Sequence, residues 1–119
     1  MLTFSTLRMS VRNVAASLDW YRAFFAAEPV EGLENFASFR VGGIALDLVK
    51  EDEKSPASKG TVGYWHVEDL TAMIKRAEEL GGRVYRGPLR VKETQRTIVQ
   101  IEDAHGNVFG LEEVFIVRG

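Results

Sequence analysis

Along residues 2–11, "LTFSTLRMSV", apolar and polar positions alternate: Leu7, Met9 and Val11 share one face, and Phe4, Thr6, Arg8 and Ser10 the other. A period of two predicts a strand. The period then lengthens. Val14, Leu18, Tyr21 and Phe25 recur at i, i+4, i+7 and i+11, which is the single apolar stripe of a helix. Asn13 is placed to cap it by accepting a bond from an orphan backbone amide. Glu28-Pro29 is expected to end it, because proline disfavours helix at the residue before it. Three short strands follow in "VEGL", "NFASFRV" and "IALDLVK", the last two joined as a hairpin through Gly42-Gly43.

Residues 51–60, "EDEKSPASKG", mix charge with Ser, Pro and Gly and show no periodicity, so they read as a connection. Beyond them the pattern begins again. "TVGYWHV" predicts a strand, and Asp69 is the next helix cap. Leu70, Met73, Ile74, Ala77 and Leu80 make a second apolar stripe that Gly81-Gly82 stops. Strands are expected in "RVYRGPL", "QRTIVQIE" and "NVFGLEEVF". The halves also echo locally, "VRNVAASL" (11–18) in "VEDLTAMI" (67–74) and "GGIALDL" (42–48) in "GNVFGLE" (106–112).

The predicted fold is α+β, a single domain of two βαβββ modules: module one about residues 1–52, a linker about 53–60, and module two about 61–119. One helix per module covers one sheet face. The other faces, placed side by side, would form a curved mixed sheet around a cleft.

Composition narrows the function. With 119 residues the chain can bury one core. Its 15 basic and 17 acidic residues are scattered and leave a net charge of −2, which argues against nucleic acid as a partner. No apolar run approaches the ~18 residues of a membrane span, and no signal-peptide pattern opens the chain, so no membrane partner is expected. Without cysteine there is no disulfide, thiolate nucleophile or zinc–thiolate site, and a cytoplasmic location is expected.

Three stretches in order, "VRNVAASLDWYRAFF", "HVEDLTAMIKRAEELGG" and "EDAHGNVFGLEEV", together with the repeated elements, resemble the vicinal oxygen chelate superfamily of glyoxalases, extradiol dioxygenases and bleomycin-resistance proteins. The resemblance covers nearly the whole chain. It implies a ligand held in the cup between modules, and a homodimer or a pairing of modules across chains. In metal-dependent members four cup side chains bind a divalent ion. Carried over by position, the first falls on Thr6, five residues before Val11, where His or Gln is usual. The second falls on Asp47, where Glu is usual. The third is Val62, five residues before Val67, in place of His. The fourth is Gly110, four residues after Gly106, in place of Glu. Only Asp47 offers a strong ligand, and a stable transition-metal site needs about three protein ligands. No metal and no cofactor is therefore expected.

Strand parity selects the side chains that share a face with these positions. The expected ligand-facing set is Thr6, Arg8, Phe36, Arg40, Asp47, Val62, Tyr64, His66, Gln100, Glu102, Gly110 and Glu112. His66 reads either as a general acid/base, since imidazole exchanges protons near neutral pH, or as a solvated polar residue at a strand end. Arg8 and Arg40 can clamp an anionic ligand group with a bidentate fork, or pair with Asp47, Glu102 or Glu112 to hold the module seam. Tyr64 suits stacking on a flat ligand or packing at a rim. His105 belongs to an exposed turn. Trp20, Tyr21, Phe24 and Phe25 follow helical spacing and are read as core or dimer contact.

The expected function is metal-independent binding of a small-molecule ligand, antibiotic-like or aromatic, by sequestration. The alternative is an enzyme of lyase, isomerase or dioxygenase type acting on a small carbonyl metabolite. It would use His66 as acid/base, or a displaced oxygen-rich metal site made from Asp47, His66, Glu102 and Glu112.

Overall fold

A computed structural model of the chain describes residues 4–57 and 62–115. The chain divides into two compact units, Met1–Ser58 and Lys59–Gly119. Among the described residues no helix is long and apolar enough to cross a membrane.

Unit one runs β1 (Thr6–Val11), α1 (Val14–Phe25), β2 (Glu31–Gly32), β3 (Phe36–Val41) and β4 (Ile44–Lys50). Its sheet has the order β1-β4-β3-β2, with β1 parallel to β4 and the other pairs antiparallel. Asn13 caps α1, its Oδ1 accepting from Ala16 N at 2.9 Å. The helix buries Val14, Leu18, Trp20, Tyr21 and Phe24, and on the sheet Val11, Ala37, Phe39, Leu46 and Leu48 are buried with them. Burying a large apolar side chain stabilises by roughly 1.5–3 kcal/mol, so this cluster dominates the unit. Phe25 meets Phe39 edge-on at 5.7 Å, and Trp20 stacks on Phe24 at 5.2 Å. The aromatic run of α1 is core.

Unit two repeats the plan: β5 (Tyr64–His66), α2 (Leu70–Glu79), β6 (Arg83–Val91), β7 (Arg96–Glu102) and β8 (Val108–Val114). Its order, β5-β8-β7-β6, with β5 parallel to β8, has the same form as that of unit one. Asp69 caps α2 through Ala72 N at 3.0 Å, and Gly81 leaves the helix with φ +85°. Val99, Ile101, Phe109, Leu111, Leu70 and Ala77 form the core, with Trp65 edge-on to Phe109. The turn before β8 is organised by Asp103, which is 4% exposed. Its carboxylate accepts from His105 N at 2.8 Å, Asn107 N at 3.0 Å and Asn107 Nδ2 at 2.9 Å. His105 itself is exposed.

Several element boundaries differ from the expectation. α1 stops at Phe25, not at Glu28-Pro29. Ala26 adopts the left-handed conformation, φ 53°, and returns its amide to Arg22 O, which closes the helix before proline can act. The "VEGL" strand shrinks to two residues, and the "TVGYWHV" strand to Tyr64–His66, so Val62 precedes the strand. β6 runs on to Val91 with register shifts around Arg86. Leu2, Thr3, Thr61 and residues 58–60 of the linker lie outside the described residues. The local echo of "GGIALDL" in "GNVFGLE" is one residue out of step with the strand pairing. Arg8 pairs with Asp47 and Tyr64 with Gly110, so Asp47 and Gly110 are equivalent, and with them Gly43 and Gly106.

Candidate functional site

Alternating burial and the register assign the two faces of each sheet. In unit one the positions that pack with α1 are Val11, Ala37, Phe39, Leu46 and Leu48. Thr6, Arg8, Phe36, Arg40 and Asp47 therefore lie on the opposite face. Arg8, Asp47 and Ser38 form one row across β1, β4 and β3. Ser38, 7% exposed, donates its hydroxyl to Asp47 Oδ1 at 2.7 Å. Thr6 stands in the next row, opposite Ala45, and its hydroxyl meets that of Ser5 at 3.3 Å. Arg8 and Arg40 are exposed and have no carboxylate partner among the described residues.

The equivalent row of unit two is Tyr64, Gly110, Gln100 and Arg86 across β5, β8, β7 and β6. Tyr64 lies flat on Gly110. A Cβ at residue 110 would stand 2.2 Å from Tyr64 Cδ2, so only glycine fits beneath the ring. Gln100 Nε2 donates to Tyr64 Oη at 2.9 Å and fixes the ring from its far end. In the adjoining row His66 faces Glu112, which faces Ile98. Arg96 Nη1 reaches Glu112 Oε1 at 2.6 Å, and Arg83 holds Glu102 at 3.2 Å. The two glutamates thus already have guanidinium partners that sequence reasoning did not identify. His66 is exposed and makes no hydrogen bond to another described residue.

A divalent ion does not fit these residues. In unit two Val62 has no donor atom, and the Tyr64 ring covers Gly110 where a fourth ligand would project. In unit one Thr6 is one row away from Asp47. The displaced site also fails. Glu102 and Glu112 stand opposite Val108 and Ile98, four residues apart along β7, roughly 13 Å of strand rise. Among the described residues no three His, Asp or Glu side chains gather.

The concavity of this face lies between β5, β7 and β6. A pocket of ≈ 440 Å³ is lined by Tyr64, Arg86, Pro88, Leu89, Ile98 and Gln100, among others. Its shape comes from β6. The register shifts between Val84 and Arg86 and again between Arg86 and Leu89. Gly87 has φ +92°, and a Cβ there would come 2.9 Å from Ile98 O. Such bulges re-aim side chains, and here the strand leaves Arg86, Pro88 and Leu89 exposed beside Tyr64 and Gln100. Tyr64 and Gln100 belonged to the expected set; Arg86, Leu89 and Ile98 did not. The signal for them was "RGPL", since Gly-Pro inside a strand pattern marks an irregular edge.

Comparison with known proteins gives a consistent picture. A model of the family described as Glyoxalase/Bleomycin resistance protein/Dioxygenase superfamily matches residues 3–111. No curated protein sequence matches the chain. Among solved structures, a glyoxalase/bleomycin resistance protein from Catenulispora acidiphila is 24% identical, with TM-score 0.70, 95% of this chain covered and 100% of that one. A glyoxalase/bleomycin resistance protein/dioxygenase family enzyme from Burkholderia phytofirmans has TM-score 0.76 at 14% identity, covering 93% and 98%. A lactoylglutathione lyase from Agrobacterium tumefaciens has TM-score 0.72 at 20% identity, covering 95% and 94%. At these identities the likeness is one of fold.

Proposed function

This chain belongs to the glyoxalase/bleomycin resistance protein/dioxygenase superfamily, and on that premise we propose that it is a metal-independent small-molecule binding protein. It holds a partly aromatic ligand against the sheet of unit two and breaks no bond in it. The observation that carries this reading is Tyr64 lying on Gly110. The ring covers the place from which a metal-binding carboxylate would project, and it presents a flat apolar surface to the pocket instead. Leu89, Ile98 and Pro88 extend that surface, while Gln100 and Arg86 supply polar groups. A small apolar pocket with a few convergent polar groups suits binding. Sequestration needs no more than this.

The acid–base alternative finds no specific support. His66 is exposed, and the carboxylate opposite it on β8 is held by Arg96. A homodimer in the cytoplasm completes the proposal. The exposed Val30 and Leu33 beside β2 offer apolar surface to a second copy, which light scattering tests.

The binding reading is tested by thermal shift with a panel of aromatic natural products and antibiotics, alongside metal analysis of protein purified without chelator or affinity tag. A ligand that binds the native state raises its stability, so stabilisation by a subset of aromatic compounds is expected. No stabilisation by any compound, or stoichiometric bound metal, would overturn the proposal.

A further inference from the structure

We infer that the ligand of the unit-two pocket is a planar aromatic carboxylate, with Arg86 as the group that receives its anionic head. This rests on the binding reading above and adds its charge class. The first observation is a difference among the arginines of β6 and β7. Arg83 is matched by Glu102 at 3.2 Å and Arg96 by Glu112 at 2.6 Å. Arg90 lies over the Phe115 ring at 4.0 Å. Arg86, on the same face of the sheet as Arg83 and Arg96, has no partner of either kind among the described residues.

The second observation is where Arg86 stands. Among the described residues it is the only ionisable group other than the Tyr64 phenol on the pocket wall, and no carboxylate among them lines that wall. The nearest acid by register, Glu102 two residues along β7 from Gln100, is held by Arg83, and Glu112 beyond it on β8 is held by Arg96. A ligand entering the pocket thus meets one guanidinium fork with no internal competitor. A fork of two parallel N–H groups matches a carboxylate. One such cation balances a monoanion and leaves a phosphate dianion half neutralised.

The third observation is the order of the row. Tyr64, Gly110, Gln100 and Arg86 stand in register across four strands, so the flat ring is at one end and the cation at the other. Gln100 already donates to Tyr64 Oη, which leaves its amide oxygen and second N–H to meet a substituent between the two ends. The volume, ≈ 440 Å³, sits toward the low end of the roughly 300–1,000 Å³ usual for ligand pockets, which suits one or two fused rings.

The test uses 2-naphthoate and its neutral isostere 2-naphthamide, titrated calorimetrically into the full-length protein. The expected result is naphthoate binding at least about tenfold tighter, as a charge-assisted pair predicts. Raising the ionic strength weakens naphthoate and leaves naphthamide unchanged. In R86Q the two probes bind within about twofold of each other. R86K falls between, because a point charge replaces the fork. Arg86 is exposed, so both variants are expected to melt as the wild type does. Equal affinities in the wild-type protein, or a preference for naphthoate that survives in R86Q, overturn the charge assignment while the pocket reading stands. Failure of both probes to bind overturns the pocket reading and this inference with it.

Discussion

The Tyr64 ring rests on Gly110 so closely that a Cβ at residue 110 would stand 2.2 Å from Cδ2 and 2.4 Å from Cε2 of the ring. Ring and glycine depend on each other. G110A must expel the ring and break the Gln100–Tyr64 bond. The expected cost is ~1–3 kcal/mol, as for other overpacked sites. In Y64A/G110A the clash is gone, so the losses are far from additive. A double-mutant cycle in urea measures this, and additive single effects would show that the ring does not rely on the glycine.

Asp103 is a buried carboxylate engaged by three N–H groups of its own turn. Removing it in D103A leaves those donors unmatched and is expected to cost ~2–4 kcal/mol by chemical denaturation. D103N, which keeps one acceptor oxygen, should lose about half as much.

Gly87 tests the pocket through the backbone. G87A places a Cβ 2.9 Å from Ile98 O at φ +92°, so β6 has to shift. A stability loss of ~1–3 kcal/mol is expected. It should come with weakened binding of whichever compound the thermal-shift panel identifies. Unchanged affinity would separate the β6 bulge from the site.

H66A separates binding from acid–base chemistry. His66 is exposed and has no hydrogen-bond partner among the described residues, so its loss is expected to change stability by less than ~0.5 kcal/mol. Ligand affinity should also stay the same. A turnover assay that H66A abolishes without affecting binding would revive the enzyme reading.

Ser38 and Asp47 probe the equivalent row of unit one. S38A removes the donor of a 2.7 Å bond to a carboxylate, and Ser38 is buried. A loss of ~1 kcal/mol is expected, tempered because Asp47 is half-exposed. D47N, which keeps an acceptor for Ser38, should cost less.

The sequence by itself determined the βαβββ repeat, both helix caps and the alternation of the regular strands. Those features depend on local causes: period two or 3.6, an Asn or Asp before a stripe, a glycine at a turn. It also determined that Thr6, Val62 and Gly110 offer no strong metal ligand, since donor chemistry is a property of the residue alone. Other features only the tertiary structure decided. Tyr64 and Gly110 are 46 residues apart (110 − 64) and meet only because β5 pairs in parallel with β8 in one register. Arg96 and Arg83 satisfy Glu112 and Glu102 for the same reason, by cross-strand placement. Arg86 enters the pocket because β6 shifts register between Val84 and Arg86, and Leu89 because it shifts again across Gly87-Pro88; both move side chains away from simple alternation. Periodicity reads one strand at a time. The pocket is made by three strands together, so its composition was fixed only when their registers were.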